Sequence, residues 1–253
     1  MEFLSGYIET ISNLPRIIAE KEAVALNAAA EKLAWAYKQG KLIHIIGTGP
    51  HDSMAAEEFF MRPGSLMNIN PMFDPSLSVT HSAWRSFMIE PLEGYAEALK
   101  DYYHISAGDV AIIVSAYGVN TITIEMAEQL KNANACVIAI TSKGFSKKVD
   151  DNAPCRHISK KNLCDLESVD LYINSHIPWG DTIVEIEGVE QTFGPVSSIA
   201  NSIVLGMLNA LAIKKLLEVN VLPDIVLSPY SDKSNYERNE VNFKKYYKLI
   251  KHI

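Results

Sequence analysis

Five short runs of apolar, largely β-branched residues, each followed by a turn, constrain the fold of this chain more than any other feature. They are LIHIIG (42–47), SLMNINPM (65–72), DVAIIVS (109–115), CVIAITS (136–142) and DLYINSH (170–176). Helical stretches separate them. Strands that stay apolar along their length are typical of parallel sheets covered on both faces, because a half-exposed sheet alternates apolar and polar residues. The pattern therefore predicts an α/β fold with a doubly wound parallel sheet.

Helices are expected on both sides of these strands. Apolar residues at helical spacing predict a long helix over 17–39. Pro15 is expected either to kink this helix or to start it afresh, with residues 2–12 as a preceding helix. Alternating residues around Gly188 predict a small hairpin after the fifth strand. A helix from about Ser197 to Val219 follows and is apolar nearly all round, so we expect it to be buried on more than one side, with a subunit interface as its second partner.

The chain organises as one domain in this interpretation. A chain of 253 residues is within the range of a single α/β unit, and no internal linker interrupts it. We expect an N-terminal helical segment over 1–40, a core over 41–220, and a C-terminal tail and helix over 221–253.

Composition removes several classes of function. With 23 Lys and Arg against 30 Asp and Glu, the net charge of −7 disfavours nucleic-acid binding. No apolar run is long enough to span a membrane, and the N-terminus lacks the basic and apolar regions of an export signal. Three cysteines, Cys136, Cys155 and Cys164, cannot form a disulfide framework. We therefore expect a cytoplasmic protein with no membrane or nucleic-acid partner.

Ligand-binding residues are sought after the strands, because ligands of open parallel sheets bind at the carboxyl ends of the strands. The first loop, GTGPHDS (47–53), has His51 and Asp52 where a dinucleotide fingerprint needs its third glycine, and no GK[ST] phosphate loop follows. Glycines and small hydroxyls in three such loops suit a phosphate or the hydroxyls of a sugar. The candidate substrate-binding residues are Gly47, Thr48, Gly49, Ser53, Ser115, Tyr117, Gly118, Asn120, Thr121, Thr141 and Ser142.

The order of these loops resembles the sugar isomerase (SIS) domain family, which includes phosphoheptose isomerase. The GTG loop, the AEE helix (56–58), VSxxGxN (114–120) and ITS (140–142) follow the family's order. The segments LEGYAE (92–97) and GDxxVEIEGxxxxxGPxS (180–197) are most similar to a bacterial branch classed by likeness as phosphosugar isomerases. The resemblance covers roughly residues 20 to 240.

The resemblance implies a three-layer αβα sandwich with a flavodoxin-like, five-stranded sheet and long terminal helices. It also implies a homodimer or homotetramer and a sugar phosphate held by Ser and Thr hydroxyls. Two positions depart from the family, because His51 and Tyr117 stand where related proteins usually have Ser. The departures leave open a different or partly non-phosphorylated sugar.

A carboxylate and an imidazole are the expected catalytic pair, because aldose–ketose isomerisation moves a proton between C2 and C1 and requires ring opening. Similarity to the AEE motif of phosphoheptose isomerase indicates Glu58 as the base; a solvated helix face is the alternative. His51 is the first candidate for the imidazole and His81 the second. The metal-binding histidine before AEE in zinc-dependent phosphoheptose isomerases corresponds to Met54, and CxH...C (155–164) lacks a fourth ligand, so we expect no metal and no cofactor.

Other charged residues remain candidates. Glu185 and Glu187 alternate with apolar residues on the predicted hairpin and share a face, which is either part of the pocket or a guard against edge pairing. Arg62 and Arg85 can meet a ligand anion or these carboxylates, and Arg85 joins the candidate substrate-binding set.

The sequence therefore leaves three possible functions. The first is a phosphosugar isomerase-like enzyme, or a deaminating relative, that uses Glu58, His51 and Glu185. The second is a non-catalytic sugar-phosphate sensor that acts through a partner protein. A nicotinamide-dependent oxidoreductase is the third, and the broken glycine fingerprint weakens it.

Overall fold

A parallel sheet forms the centre of the computed structural model, which describes residues 2–253. Its strands are β1 (Ile43–Gly47), β2 (Ile69–Pro71), β3 (Val110–Val114), β4 (Cys136–Thr141) and β5 (Leu171–Asn174). Among the described residues these five strands pair in the order β2-β1-β3-β4-β5, all parallel. The α/β prediction is confirmed. The strand order is that of flavodoxin-like sheets, in which the order of the strands, not their direction, reverses between β1 and β3.

Helices and a hairpin surround the sheet. The hairpin pairs β6 (Thr182–Val184) with β7 (Phe193–Pro195), antiparallel, as the sequence predicts. Short 3-10 helices cover Glu2–Leu4 and Leu163–Asp165. The α-helices are α1 (Ser5–Lys21), α2 (Ala23–Lys38), α3 (Ser53–Phe59), α4 (Ala83–Ile89), α5 (Tyr95–Tyr102), α6 (Thr121–Asn132), α7 (Lys143–Ser146), α8 (Ser197–Glu218) and α9 (Ser234–Tyr246).

Two apolar cores lie on opposite faces of the sheet and create the three layers. Ile45 and Ile112 face the core formed with α1, α2, α3 and α8, whereas Ile46 and Ile113 face the core formed with α5 and α6. Successive strand residues point to opposite faces, so both faces need apolar residues. The near-continuous apolar strands of the sequence follow from this geometry.

The N-terminal helices divide at a different residue from the one expected. Pro15 lies inside α1, and the helical conformation is interrupted at Glu22, between α1 and α2. The Glu22 carboxylate accepts a hydrogen bond from the Asn174 N–H at 3.3 Å and pairs with His176 Nε2 at 2.8 Å. A contact between residues about 150 positions apart accompanies the break. The prediction that a new helix starts at Pro15 is wrong, because α1 continues through Pro15 to Lys21.

The second strand is shorter than its apolar run. Met67 N–H donates to the Asp224 carbonyl at 3.0 Å, and Val226 N–H donates to the Ser65 carbonyl at 2.9 Å. Residues 65–67 thus pair antiparallel with 224–226, with a bridge between Leu66 and Ile225. Residues 65–67, which were predicted to belong to the parallel sheet, therefore form main-chain hydrogen bonds with the C-terminal tail.

The helix α8 is long and apolar, as expected, and runs beside α2 through the first core. By length and composition it is the one helix within residues 2–253 that could cross a membrane, a test that core helices also pass. Val204, Leu208 and Ala212 are fully buried against the neighbouring helices and sheet, whereas Leu217 is half exposed. Much of its apolar surface is therefore explained by the core.

Candidate functional site

The loops after β1 and β3 meet at the reversal point of the sheet. The Thr48 N–H donates to the Val114 carbonyl at 3.0 Å, and the Asn120 side-chain amide donates to the Thr48 carbonyl at 3.1 Å. Thr123, in the first turn of α6, places its hydroxyl 2.5 Å from that of Thr48. Two of the three predicted ligand loops are thus joined directly.

The loop after β4 joins them from the other side. Ser142 N–H donates to the Ala116 carbonyl at 3.3 Å, and the Ser146 hydroxyl donates to the Tyr117 carbonyl at 2.5 Å. Gly118 has a φ of +62°, and a Cβ there would lie 2.6 Å from Thr141 Oγ1. Only glycine fits this turn, which holds the third-strand loop against the fourth.

Most of the predicted hydroxyl ligands are buried, and several bond to main-chain groups. The Ser115 hydroxyl accepts the Gly118 N–H at 3.1 Å, and the Ser142 hydroxyl donates to the Ile177 carbonyl at 2.6 Å. Buried hydroxyls of this kind fix the loops relative to one another. The predicted residues that are buried in this way are Thr48, Ser115, Asn120, Thr121, Thr141 and Ser142.

Asp52 links three elements and was missed as a site residue. Its Oδ2 accepts the Ala116 N–H at 3.1 Å, and its Oδ1 accepts the side-chain amide of Asn201, on α8, at 3.3 Å. A Cβ on Gly49 would lie 2.7 Å from Asp52 Oδ2, and one on Gly47 would lie 1.9 Å from the Asp52 main-chain oxygen. The two glycines are therefore needed because the loop folds back onto the strand end.

Further carboxylates surround Asp52. Burial raises the pKa of Asp52 to about 7 against the Ala116 hydrogen bond, and the charges of Glu90 and Asp181 raise it further. Burial also raises the pKa of Glu90 to about 7, opposed by a hydrogen bond with Asn120. Asp181 accepts the Ser197 N–H at 2.6 Å and so holds the start of α8. Acidic groups thus concentrate at the meeting point of the loops.

A small cavity opens beside this cluster, at the carboxyl ends of β1 and β2, with a volume of about 120 Å³. Ser53 and Glu57 contribute from α3, and the segment over 73–80 supplies much of the remaining wall. Both polar and apolar residues line the space. Its lining residues are Gly47, Ser53, Ala56, Glu57, Met72, Phe73, Asp74, Pro75, Leu77, Ser78 and Thr80.

The two neighbouring glutamates of the AEE motif have different surroundings. Glu57 lines the cavity, whereas Glu58 Oε1 lies 3.3 Å from Arg62 Nε, one turn further along the chain. The Glu58 side chain is 43% exposed. Consecutive helix residues point about 100° apart, so only one of the two can face the cavity.

An aromatic face forms the rim above the joined loops. The rings of Tyr117 and Phe145 lie 4.5 Å apart, and those of Phe145 and Trp179 lie 4.9 Å apart. Tyr117 and Trp179 are about half exposed. Burial raises the pKa of Tyr117 to about 12, and the charges of Asp52, Asp181 and Glu90 add to the shift. The Tyr117 hydroxyl therefore lies close enough to the same acidic cluster for the charges of the cluster to affect its pKa.

The remaining candidates lie around this centre. His51 is exposed on the first loop, and Glu185 is exposed on the hairpin tip beyond β6 and does not line the cavity. Arg85 Nη2 donates to the Ser76 hydroxyl at 2.9 Å, and the Ser76 N–H donates to Asp74, which lines the cavity. The structure thus brings Gly47, Ser53 and the loop hydroxyls to one edge, with Arg85 nearby.

Sequence comparison identifies the family of this site. A family model for the SIS domain matches residues 6–142, which is more than half of the chain. The chain belongs to the SIS domain family. The SIS domain match covers the loops after β1 and β3, the AEE motif and the end of β4.

Relatives of this SIS domain chain extend over its whole length. The UPF0309 protein of Halalkalibacterium halodurans is 33% identical over 247 residues, covering 98% of this chain and 96% of the relative. The UPF0309 protein of Caldanaerobacter subterraneus is 31% identical over 253 residues, covering 99% of this chain and all of the relative.

Solved structures share the fold. A phosphoheptose isomerase from Francisella tularensis superposes with a TM-score of 0.52 at 11% identity, over 84% of this chain and 97% of that one. The phosphoheptose isomerase of Neisseria gonorrhoeae gives a TM-score of 0.50 at 15% identity, over 83% and 95%. The three-layer SIS architecture is therefore confirmed by structure as well as by sequence.

Proposed function

We propose that the chain is a sugar isomerase-like enzyme that takes a sugar or sugar phosphate at the carboxyl ends of β1 and β2. The observation that carries the proposal is the cavity of about 120 Å³ whose lining includes Glu57 together with Ser53, Ser78 and Thr80. Hydroxyls bind polyols, and a carboxylate beside them can move a proton. The folds shared with two phosphoheptose isomerases support the same reaction class.

The proposed reaction passes a proton between C2 and C1 of an open-chain sugar through a cis-enediol. Glu57 is our first candidate for the base, because its side chain lines the cavity, and Glu58 is retained from the motif comparison. An imidazole would open the ring. His51 and His81 are the candidates, since each stands within two residues of a cavity residue, Ser53 or Thr80.

Hydrogen exchange at C2 tests the proposal. The full chain is incubated in heavy water with paired sugars and sugar phosphates, and loss of the C2 proton signal is followed by NMR. The expected result is enzyme-dependent exchange with at least one sugar. Absence of exchange at C2 of every aldose and at C1 of every ketose in the panel, by folded protein, would contradict an isomerase.

A binding-only role is the second candidate. It is favoured by the hydroxyls of Thr48, Ser115 and Ser142, which hydrogen-bond to Thr123 and to main-chain groups within the protein and do not line the cavity. Such a module would be thermally stabilised by a sugar without turning it over. Stabilisation by a sugar that is retained in Glu57→Gln, together with no C2 exchange by the parent protein, would support it.

A further inference from the structure

A second cavity, of about 550 Å³, lies at the amino ends of β1 and β3, on the opposite edge of the sheet from the candidate functional site. We call it the amino-edge cavity. Its walls come from residues 40–44 at the start of β1, residues 103–109 before β3, and residues 247–253 after α9. Cavities of this size are typical of sites that hold a small molecule.

The amino-edge cavity carries an excess of positive charge. Lys41, Lys248 and Lys251 line it, against one acidic side chain, that of Asp109. Lys41 Nζ lies 3.9 Å from Asp109 Oδ1, so these two charges largely offset each other. Two lysines of α9 pair with carboxylates, whereas no ion pair forms at Lys248 or Lys251 within the described part of the chain. These two positive charges therefore favour an anion in the cavity.

A buried imidazole adds a hydrogen-bond donor to the wall of this cavity. His44 lines the cavity and is 1% exposed. The side-chain amide of Asn70 donates to His44 Nδ1 at 3.1 Å, so Nε2 carries the hydrogen of the neutral ring. That Nε2 has no hydrogen-bond partner among the described residues, and its neighbour Asp109 Oδ2, 3.4 Å away, accepts the Ser106 N–H at 2.8 Å. Unpaired buried donors are rare, and this one suits a ligand oxygen.

Aromatic and aliphatic side chains complete the cavity. The Tyr103 hydroxyl donates to the Phe73 carbonyl at 2.7 Å and lies 2.8 Å from His252 Nε2, so the Tyr103 wall is fixed before any ligand binds. Tyr247 and Leu249 also line the cavity, and each exposes about half of its surface. Side chains of this kind pack against the apolar or aromatic body of a small molecule.

We propose that the amino-edge cavity is a binding site for an organic phosphate, separate from the sugar site. The phosphate group is placed at Lys248 and Lys251, and the apolar or aromatic body of the ligand lies against Tyr247 and Leu249. A phosphomonoester carries nearly two negative charges at about pH 7, which matches the two lysines that lack an ion pair. Lysine ammonium groups bind phosphate as point charges.

The first test compares ligands that have one or both parts of this chemistry. Calorimetry on the full chain measures the affinities for phenyl phosphate, adenosine monophosphate, adenosine and orthophosphate. We expect at least one of the two esters to bind at least about tenfold more tightly than adenosine and orthophosphate, which each lack one part. Failure of both esters to bind the folded protein, or binding of orthophosphate or adenosine as tightly as both esters, overturns the inference.

The second test locates the bound ester with two double variants. Lys248→Gln with Lys251→Gln removes the unpaired charges of the cavity and should weaken binding of the ester at least about tenfold. Lys233→Gln with Lys244→Gln is the matched control, because it removes the same charge outside the cavity and should change the affinity less than about twofold. These lysines are all exposed, and circular dichroism checks that both variants fold. Equal losses in the two variants, or no loss in the first, overturn the inference.

This inference and the isomerase proposal fail in different ways. If an ester binds through the two cavity lysines and no sugar shows C2 exchange, the isomerase proposal fails and the amino-edge site stands. If C2 exchange occurs and the Lys248→Gln with Lys251→Gln protein keeps its full affinity for the ester, the isomerase proposal stands and the amino-edge site is rejected.

Discussion

The hydroxyls of Thr48 and Thr123 lie 2.5 Å apart, and both side chains are fully buried. Thr48 follows β1, and Thr123 lies in α6, which follows β3. This hydrogen bond therefore connects the β1 and β3 sides of the sheet at the position where the strand order reverses. Thr123 also bonds to the side chain of Asn120, which in turn donates to the Thr48 carbonyl. A closed network of polar side chains thus sets the relative position of the loops.

Replacing Thr123 with Val is expected to destabilise the protein by about 1–3 kcal/mol, because the shape is kept and buried partners on Thr48 and Asn120 lose their hydrogen bonds. Urea unfolding measures the change. Thr192→Val is the control, since Thr192 is exposed on the hairpin, and it should change stability by less than about 0.5 kcal/mol. Equal effects of the two substitutions would show that the network does not support the fold.

Stability should fall as pH rises from about 4 to about 7. Burial raises the pKa of Asp52 from 3.8 and that of Glu90 from 4.5, in both cases to about 7. Between these values the folded protein keeps protons that the unfolded chain has lost, so the stabilisation is complete below the unfolded pKa and disappears as pH passes about 7.

Asp52→Asn removes one of these groups and should flatten the profile. Relative to the unaltered protein, its free energy of unfolding should rise between pH 4 and pH 8 by on the order of 3 kcal/mol. Urea titrations at several pH values give both curves. Parallel curves for the two proteins would mean that Asp52 does not hold a proton in the folded state.

The sheet could be predicted from the sequence because its signal is local. Each strand needs a short apolar run, and each loop after a strand begins with glycine or a small hydroxyl residue, so β1, β3, β4 and β5 were found within one or two residues. The break at Glu22 and the pairing of 65–67 with 224–226 depend on partners far along the chain. No local pattern carries that information.

The site was predicted less completely for a related reason. Which hydroxyls face a ligand and which face each other depends on how tightly the loops close, and Asp52 meets Ala116 across 64 positions. The choice between Glu57 and Glu58 depends on the rotation of a helix that begins at Ser53. A shift of one residue along the helix changes which glutamate faces the cavity, and the AEE motif does not specify how the helix is rotated.

The two faces of α8 give a further prediction. Leu208 is fully buried and Leu217 is half exposed on the same helix. Leu208→Ala should destabilise the protein by about 2–5 kcal/mol through the cavity it leaves, whereas Leu217→Ala should cost less than about 1 kcal/mol. Thermal and urea unfolding of both variants compare them directly. A larger loss for Leu217 would show that the exposed face has a partner of its own, which is the subunit interface expected from the sequence.

Adjacent glutamates allow the catalytic assignment to be tested with a matched pair. Glu57→Gln removes the carboxylate at the cavity and should lower the rate of C2 hydrogen exchange by about 10²- to 10⁴-fold, as expected for loss of a general base. Glu58→Gln removes only the exposed pair with Arg62 and should leave the rate close to that of the unaltered protein, because such pairs add at most about 1 kcal/mol to stability. Both variants change one carboxylate to an amide on α3, so a difference between them reports position rather than charge. The reverse result, with exchange lost in Glu58→Gln and kept in Glu57→Gln, would assign the base to the residue that the family motif indicates and would remove the cavity of β1 and β2 from the reaction.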